Sequence, residues 1–176
     1  RLSSGEAVAR LDSAKNAPEF DVWHGGPADG YGTAAAKGLI EAYDSPNAAK
    51  IPDKYKDADH KWTGVYVGTL GFCSNKTVLS KLGVDTPASW DDLLNPALKG
   101  QVSTAHPSTS GTAFTTLWTQ NVRLGGQDQA FDYMKKLHGN VLQYTKSGTA
   151  PGLIAGRGEV GVGLVFSHDC VKYQEQ

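Results

Sequence analysis

Along this chain, short runs rich in apolar and β-branched residues take turns with runs of helical periodicity, and that alternation leaves few folds open. "EFDVWHGG" predicts a short buried strand, Phe20 to Trp23, and "DGYGTAAAKG" a short helix stopped by Gly38. "WTGVYVGTLGFCSN" predicts one or two strands, and "KTVLSKLG" a helix with a glycine stop. In "TPASWDDLLNPALKG", Ser89 is the expected N-cap of a helix broken at Asn95-Pro96. "QVSTA", "VLQYT" and "EVGVGLVF" read as strands, with helices at 110–123, 127–137, in "SGTAPGLIAGRG" and from "HDCVKYQEQ". Near the N-terminus Ser3 and Glu6 fit a capping box ahead of Ala7, Val8 and Leu11 at helical spacing. Residues 44 to 61 are polar and twice interrupted by proline, a surface loop. The alternation predicts an α/β sheet with mostly parallel pairing.

Charge narrows the partners. A formal net charge of −1 over 176 residues argues against a nucleic-acid surface or a polybasic membrane anchor. No stretch approaches the roughly 20 apolar residues that a membrane span needs. The sequence starts at "RLSSGEAVARL", without a methionine, so a missing leader says nothing about export. Two cysteines, Cys73 and Cys170, are either one disulfide or two buried thiols.

Several motifs fail on context. "GRGEVG" has the letters of a dinucleotide fingerprint, but it follows a helix and precedes a strand, the reverse of the required order. A Ser-dependent hydrolase finds no G-x-S-x-G elbow, and His168 adjoins Asp169 in sequence without an evident orienting role. The histidines show no metal-ligand spacing, and His60 and His138 sit in polar contexts that predict solvation. The "NKT" sequon at Asn75 reads as the start of a helix. No catalytic residue, cofactor or metal site is expected.

What survives is a set of small-polar and glycine clusters at expected strand-to-helix junctions: "LSSGE", "HGGPAD", "HPSTSGT", "TKSGTA" and "SHDC". The first N–H groups of a helix lack intrahelical partners and carry the positive end of its dipole. In "HPSTSGTAFTTLW" the hydroxyls of Ser108, Thr109, Ser110 and Thr112 surround such an end. In open α/β sheets ligands bind beyond the carboxyl ends of strands, so these clusters point to a polar, anionic ligand.

"RLSSGEAVARL", "FDVWHGGPAD", "WTGVYVGTLGF", "SWDDLLNPALKGQV", "HPSTSGTA", "QYTKSGTAP" and "VGVGLVFSHD" together resemble the extracytoplasmic solute-binding proteins of ABC importers. The group is the one around iron(III), phosphonate and hexose-phosphate uptake. The resemblance implies a type 2 periplasmic-binding-protein-like fold, two α/β lobes joined by crossing strands, with a small anionic solute held in the cleft between them. It places residues 1–72 in the first lobe, which lacks its opening strand and its C-terminal return, and residues 73–176 in the second. The chain then resembles part of a protein roughly twice as long, and a partner chain or strand exchange would complete lobe one.

Carried over by motif, the resemblance implies ligand contacts from Ser4, Gly5, Gly25 and Gly26 in lobe one. In lobe two it implies Ser110, Gly111, Thr112, Ser147, His168 and Asp169. It further implies that Cys73 and Cys170 pair, that the protein is exported to the periplasm or held outside the membrane, and that it serves an ABC permease. A phosphorylated or phosphonate solute, hexose phosphate foremost, is the expected cargo, with ferric iron as the alternative. The iron-binding members of this group resemble one another in a pair of adjacent tyrosines after the strand that here ends "VGLVF". This chain has Ser167, His168 and Asp169 there, and Tyr173 alone farther on.

Overall fold

The computed structural model describes residues 2–174. Two units, Arg1–Val67 and Gly68–Gln176, divide the chain.

In the second unit, β1 (Leu70–Ser74), β2 (Val102–Ala105), β3 (Val141–Thr145) and β4 (Val162–Phe166) form one sheet in the order β1-β4-β2-β3. β2 runs parallel to both β3 and β4, while β1 runs antiparallel to β4. Parallel pairing therefore holds for the strands joined through helices, as crossover connections require. β2 and β4 sit inside the sheet, and β2 together with Val162–Val165 of β4 is fully buried. That explains their near-continuous apolar or small-residue character.

Helices α3 (Lys76–Lys81), α4 (Gly111–Leu124), α5 (Gln127–His138), α6 (Ala150–Gly156) and α7 (Ser167–Gln174) follow from local signals. Asn75 caps α3 by accepting from the Val78 N–H at 3.0 Å. Gly125 ends α4 in the left-handed region, at φ 82°, where glycine alone is unstrained. The main core joins Leu79, Leu93, Leu98, Val102, Tyr133, Leu137, Val162 and Leu164. A smaller cluster joins Cys73, Ala155, Val160 and Val165. There Gly163 is needed: a Cβ on it would collide with the Pro151 carbonyl of α6.

The segment after Ser89 forms two 3₁₀ turns, Asp91–Leu94 and Pro96–Leu98, where an α-helix was expected. Trp90 occupies the cap position, and Asp92 turns back to accept from the N–H groups of Ala88 and Ser89. Pro96, with no N–H and a restricted φ, cuts the turn before α-helix can propagate.

The first unit contains α1 (Ser4–Ser13), α2 (Ala28–Ala36) and two short 3₁₀ turns, Ala48–Lys50 and Asp53–Tyr55. Glu6 accepts from the Ser3 N–H at 3.1 Å, completing the capping box of α1. Phe20 to Trp23 is not a strand: it forms no ladder, bends at Asp21, and leaves Val22 80% exposed. Of the run beginning at Trp62, only Leu70–Ser74 enters the sheet, and Val65 to Val67 remain exposed. Apolar letters make a strand only where a ladder partner satisfies the backbone, and none of the described residues supplies one here.

Candidate functional site

The parallel register brings the carboxyl ends of β2, β3 and β4 to one edge of the sheet. Ala105 pairs with Thr145, and the His106 N–H donates to the Thr145 carbonyl at 2.8 Å. The loop 106–110 after β2 and the loop 146–149 after β3 therefore start side by side. The Thr109 hydroxyl ties them together by donating to the Lys146 carbonyl at 3.0 Å. Sequence separation in that bond is 37 residues. α7 begins directly after β4 at the same edge, where the Ser167 N–H donates to the Thr69 carbonyl at 2.8 Å.

Ser110 is the N-cap of α4. Its backbone is extended, at φ −110° and ψ 123°, and its Oγ accepts from the Ala113 N–H at 3.3 Å. One orphan donor of the helix is thereby satisfied, and the Gly111 and Thr112 N–H groups lie in the same first turn. Ser110 and Gly111 are buried, Thr112 partly so. Against them lies Gly148: a Cβ built on it would stand 2.6 Å from Ser110 Oγ and closer still to Thr112 Oγ1. Beside it the Ser147 and Thr149 hydroxyls are 3.1 Å apart. The structure thus collects Ser110, Gly111, Thr112 and Ser147 into one donor-rich cluster, to which it adds Gly148, a residue not singled out from sequence. Its signal was present in "KSGT", a glycine between hydroxyl residues where backbone must pass close to something.

His168 and Asp169 open α7. The His168 ring stacks on Phe166 with centroids 5.7 Å apart and planes 8° from parallel, and its Nε2 lies 3.8 Å from Asp169 Oδ2. The Asp169 side chain is mostly buried and that of His168 about half exposed. An acid in a helix's first turn interacts favourably with the dipole. Gly68 leaves room for this stack, since a Cβ on it would touch Phe166 Cδ1 at 3.0 Å and His168 Cε1 at 3.3 Å. Behind it, Cys73 of β1 and Cys170 of α7 are joined, with Cα atoms 5.3 Å apart, fixing α7 to the sheet.

In the first unit, Gly25 and Gly26 are both left-handed, at φ 95° and 89°. A Cβ on Gly26 would meet Ser4 Oγ at 2.7 Å, so Ser4, Gly5 and the glycine pair form a second small cluster at the start of α1. Tyr31 of α2 holds it: its ring stacks on Trp23 and its hydroxyl donates to the Gly25 carbonyl at 2.7 Å. Burial raises the Tyr31 phenol above its ordinary pKa, with Tyr66 adding to the rise and the Gly25 hydrogen bond opposing it. The glycine pair follows irregular chain, not the strand expected from sequence.

Both histidines expected to be solvated are exposed, and each has a surface partner. His138 lies 3.0 Å from the Tyr144 hydroxyl through Nδ1 and stacks on its ring, and His60, at φ 57°, pairs with Asp44 at 3.4 Å. Burial raises the Tyr144 phenol. Among the described residues no group of three or more His, Cys, Asp or Glu side chains comes together as metal ligands do.

Residues 24–176 match the family described as bacterial extracellular solute-binding protein. The chain belongs to that family. Within it, this solute-binding chain falls in the group that spans ferric, phosphonate and sugar-phosphate binders, and its fold is of the type 2 periplasmic-binding-protein kind. The periplasmic binding protein AfuA from Actinobacillus pleuropneumoniae, solved with fructose-6-phosphate, is 44% identical. It superposes with a TM-score of 0.93 over 100% of this chain and 56% of its own. An uncharacterized protein of Haemophilus influenzae is 43% identical over 96% of this chain and 50% of its own length. A Salmonella typhimurium periplasmic protein named for 2-aminoethylphosphonate binding is 27% identical over 90% of this chain and 44% of its own. The likeness to iron-bound HitA from Pseudomonas aeruginosa, at 18% identity and a TM-score of 0.76, is one of fold alone; this chain covers 98% of itself and 54% of HitA there. The solute-binding chain spans about half the length of these relatives.

Proposed function

We propose that the chain is part of the solute-capturing component of an ABC importer, exported from the cytoplasm, and that its cargo is a small phosphorylated solute, hexose phosphate foremost. One observation carries this reading. The capped start of α4 and the Ser147–Gly148 loop meet at the carboxyl edge of the parallel strands, joined by the Thr109–Lys146 hydrogen bond. Helix N–H groups and hydroxyls bind phosphate oxygens without a lysine, and the dipole adds to the attraction. His168 and Asp169, on the same edge, suit sugar hydroxyls as donor and acceptor. Ser4, Gly5, Gly25 and Gly26 are the first unit's candidate contacts. The likeness to AfuA, solved with fructose-6-phosphate, supports the hexose-phosphate choice over the phosphonate one.

Ferric iron is the competing cargo, and the ligand chemistry opposes it. A hard trivalent cation calls for anionic oxygens, and the three residues directly after β4, Ser167, His168 and Asp169, offer one carboxylate and one imidazole. Tyr173 is turned into α6, where a Cβ on Gly152 would come within 3.0 Å of its ring.

Isothermal titration of the full-length natural protein with fructose 6-phosphate, glucose 6-phosphate, 2-aminoethylphosphonate, inorganic phosphate and ferric citrate decides among these. Binding of a hexose phosphate in preference to ferric citrate is expected. A salmon-pink protein with a tyrosinate-to-iron band, or no heat with any phosphorylated compound, would overturn the proposal.

A further inference from the structure

The loop that delivers α4 is organised around one residue. His106 makes four hydrogen bonds through its backbone, to residues 109, 110 and 145, and two polar contacts through its ring, both to Ser108. Its N–H anchors to the Thr145 carbonyl at 2.8 Å, and its carbonyl accepts from the N–H groups of Thr109 at 3.1 Å and Ser110 at 3.0 Å. The Thr109 hydroxyl donates to that carbonyl at 3.2 Å. The imidazole completes the turn: Nδ1 accepts from the Ser108 N–H at 3.2 Å and lies 2.7 Å from Ser108 Oγ.

An N–H can donate only to an unprotonated Nδ1, so the loop as folded selects one form of the ring. We infer that His106, through an unprotonated Nδ1, is the positioning residue that holds Pro107–Ser110 in the conformation presenting the α4 N-terminus to solute. This inference rests on the anion-binding reading of that edge. The geometry is not that of a nucleophile and its base, because the nitrogen facing Ser108 Oγ also takes the amide of the same residue. It acts as an Asx side chain does when it accepts from the N–H two residues on. Protonation of Nδ1 removes the acceptor and sets a donor against a donor. The titratable groups facing the ring are Tyr144 of β3, at 6.0 Å between centroids, and, across Tyr144, His138 of α5.

Two variants separate positioning from bulk. His106→Asn keeps a side-chain acceptor for the Ser108 N–H at every pH, whereas His106→Phe keeps a ring and loses the acceptor. In the full-length protein at about pH 8, titration with fructose 6-phosphate is expected to show His106→Asn within about twofold of the parent. His106→Phe is expected to bind about tenfold more weakly, the scale of one or two lost hydrogen bonds. The second readout needs no solute: imidazole ¹⁵N spectra should show Nδ1 as the unprotonated nitrogen. A through-hydrogen-bond coupling between the Ser108 amide and Nδ1 should be present in the parent and absent in His106→Phe. Equal affinity of parent and His106→Phe, loss of affinity in both variants alike, or a protonated Nδ1 at pH 8 would each overturn the inference. If the parent binds no phosphorylated compound, the cargo reading fails while the spectra still decide the role of His106.

Discussion

The Ser110 hydroxyl that caps α4 occupies the space in which a side chain at residue 148 would begin. A Cβ on Gly148 would stand 2.6 Å from Ser110 Oγ and closer still to Thr112 Oγ1. Gly148→Ala must therefore rotate the Thr112 hydroxyl and displace the cap, or lift the 146–149 loop. The expected result is a loss of at least about tenfold in affinity for fructose 6-phosphate, one decade being about 1.4 kcal/mol. Overpacking is expected to cost about 1–3 kcal/mol of stability. Calorimetric titration and urea unfolding of the same variant measure the two separately, and unchanged affinity would remove Gly148 from the site.

Gly163 is a sterner case, because its neighbour is backbone. A Cβ there would collide with the Pro151 carbonyl oxygen and sit 3.1 Å from the Gly152 nitrogen. No side chain can rotate away, so α6 would have to separate from β4. Gly163→Ala is expected to lower stability by about 3 kcal/mol or more, at the severe end for a single added methyl. Denaturant unfolding with an unchanged m-value checks it.

The Cys73–Cys170 bond closes a sequence separation of 97 residues. A loop of that length predicts a stabilisation of about 4 kcal/mol on the chain-entropy account. Cys73→Ala with Cys170→Ala is expected to lose most of it. Because Cys170 lies in α7, one position past Asp169, solute affinity should weaken in the same variant. Thiol titration of the denatured, unreduced protein should find no free thiol, and two free thiols would end the idea.

Asp92 gives a pH dependence with a definite sign. The N–H groups of Ala88 and Ser89, and then the Ser89 hydroxyl, hold its carboxyl below the ordinary value. A carboxyl with a lowered folded pKa contributes stability above its unfolded pKa and loses it as pH falls through the folded one. The melting temperature should therefore decline as pH falls through and below the ordinary carboxylate range, and the decline should be smaller in Asp92→Asn. An identical acid slope in parent and variant would exclude the effect.

Much of the second unit was legible in the linear order of residues. α4 and α5 announce themselves by period and caps, Ser110 at one end and Gly125 at the other. The unbroken apolar run of β4 marks a strand buried on both faces. Such signals act over a few residues, through orphan N–H groups, left-handed glycines and the repeat of a helix, so sequence alone determines them. Partnership is different. Phe20–Trp23 and Val65–Val67 carry strand letters yet enter no sheet, while β1 joins β4 antiparallel. A strand exists only when a second one, remote in sequence, completes its hydrogen bonds. The same holds for the candidate site. Each of its clusters could be marked from sequence, but only the parallel register of β2 and β3 sets Ser110 and Thr112 against Gly148, where the absence of a side chain becomes a requirement. Local chemistry names the donors, and tertiary pairing decides which of them meet, because that contact depends on chain far outside either loop.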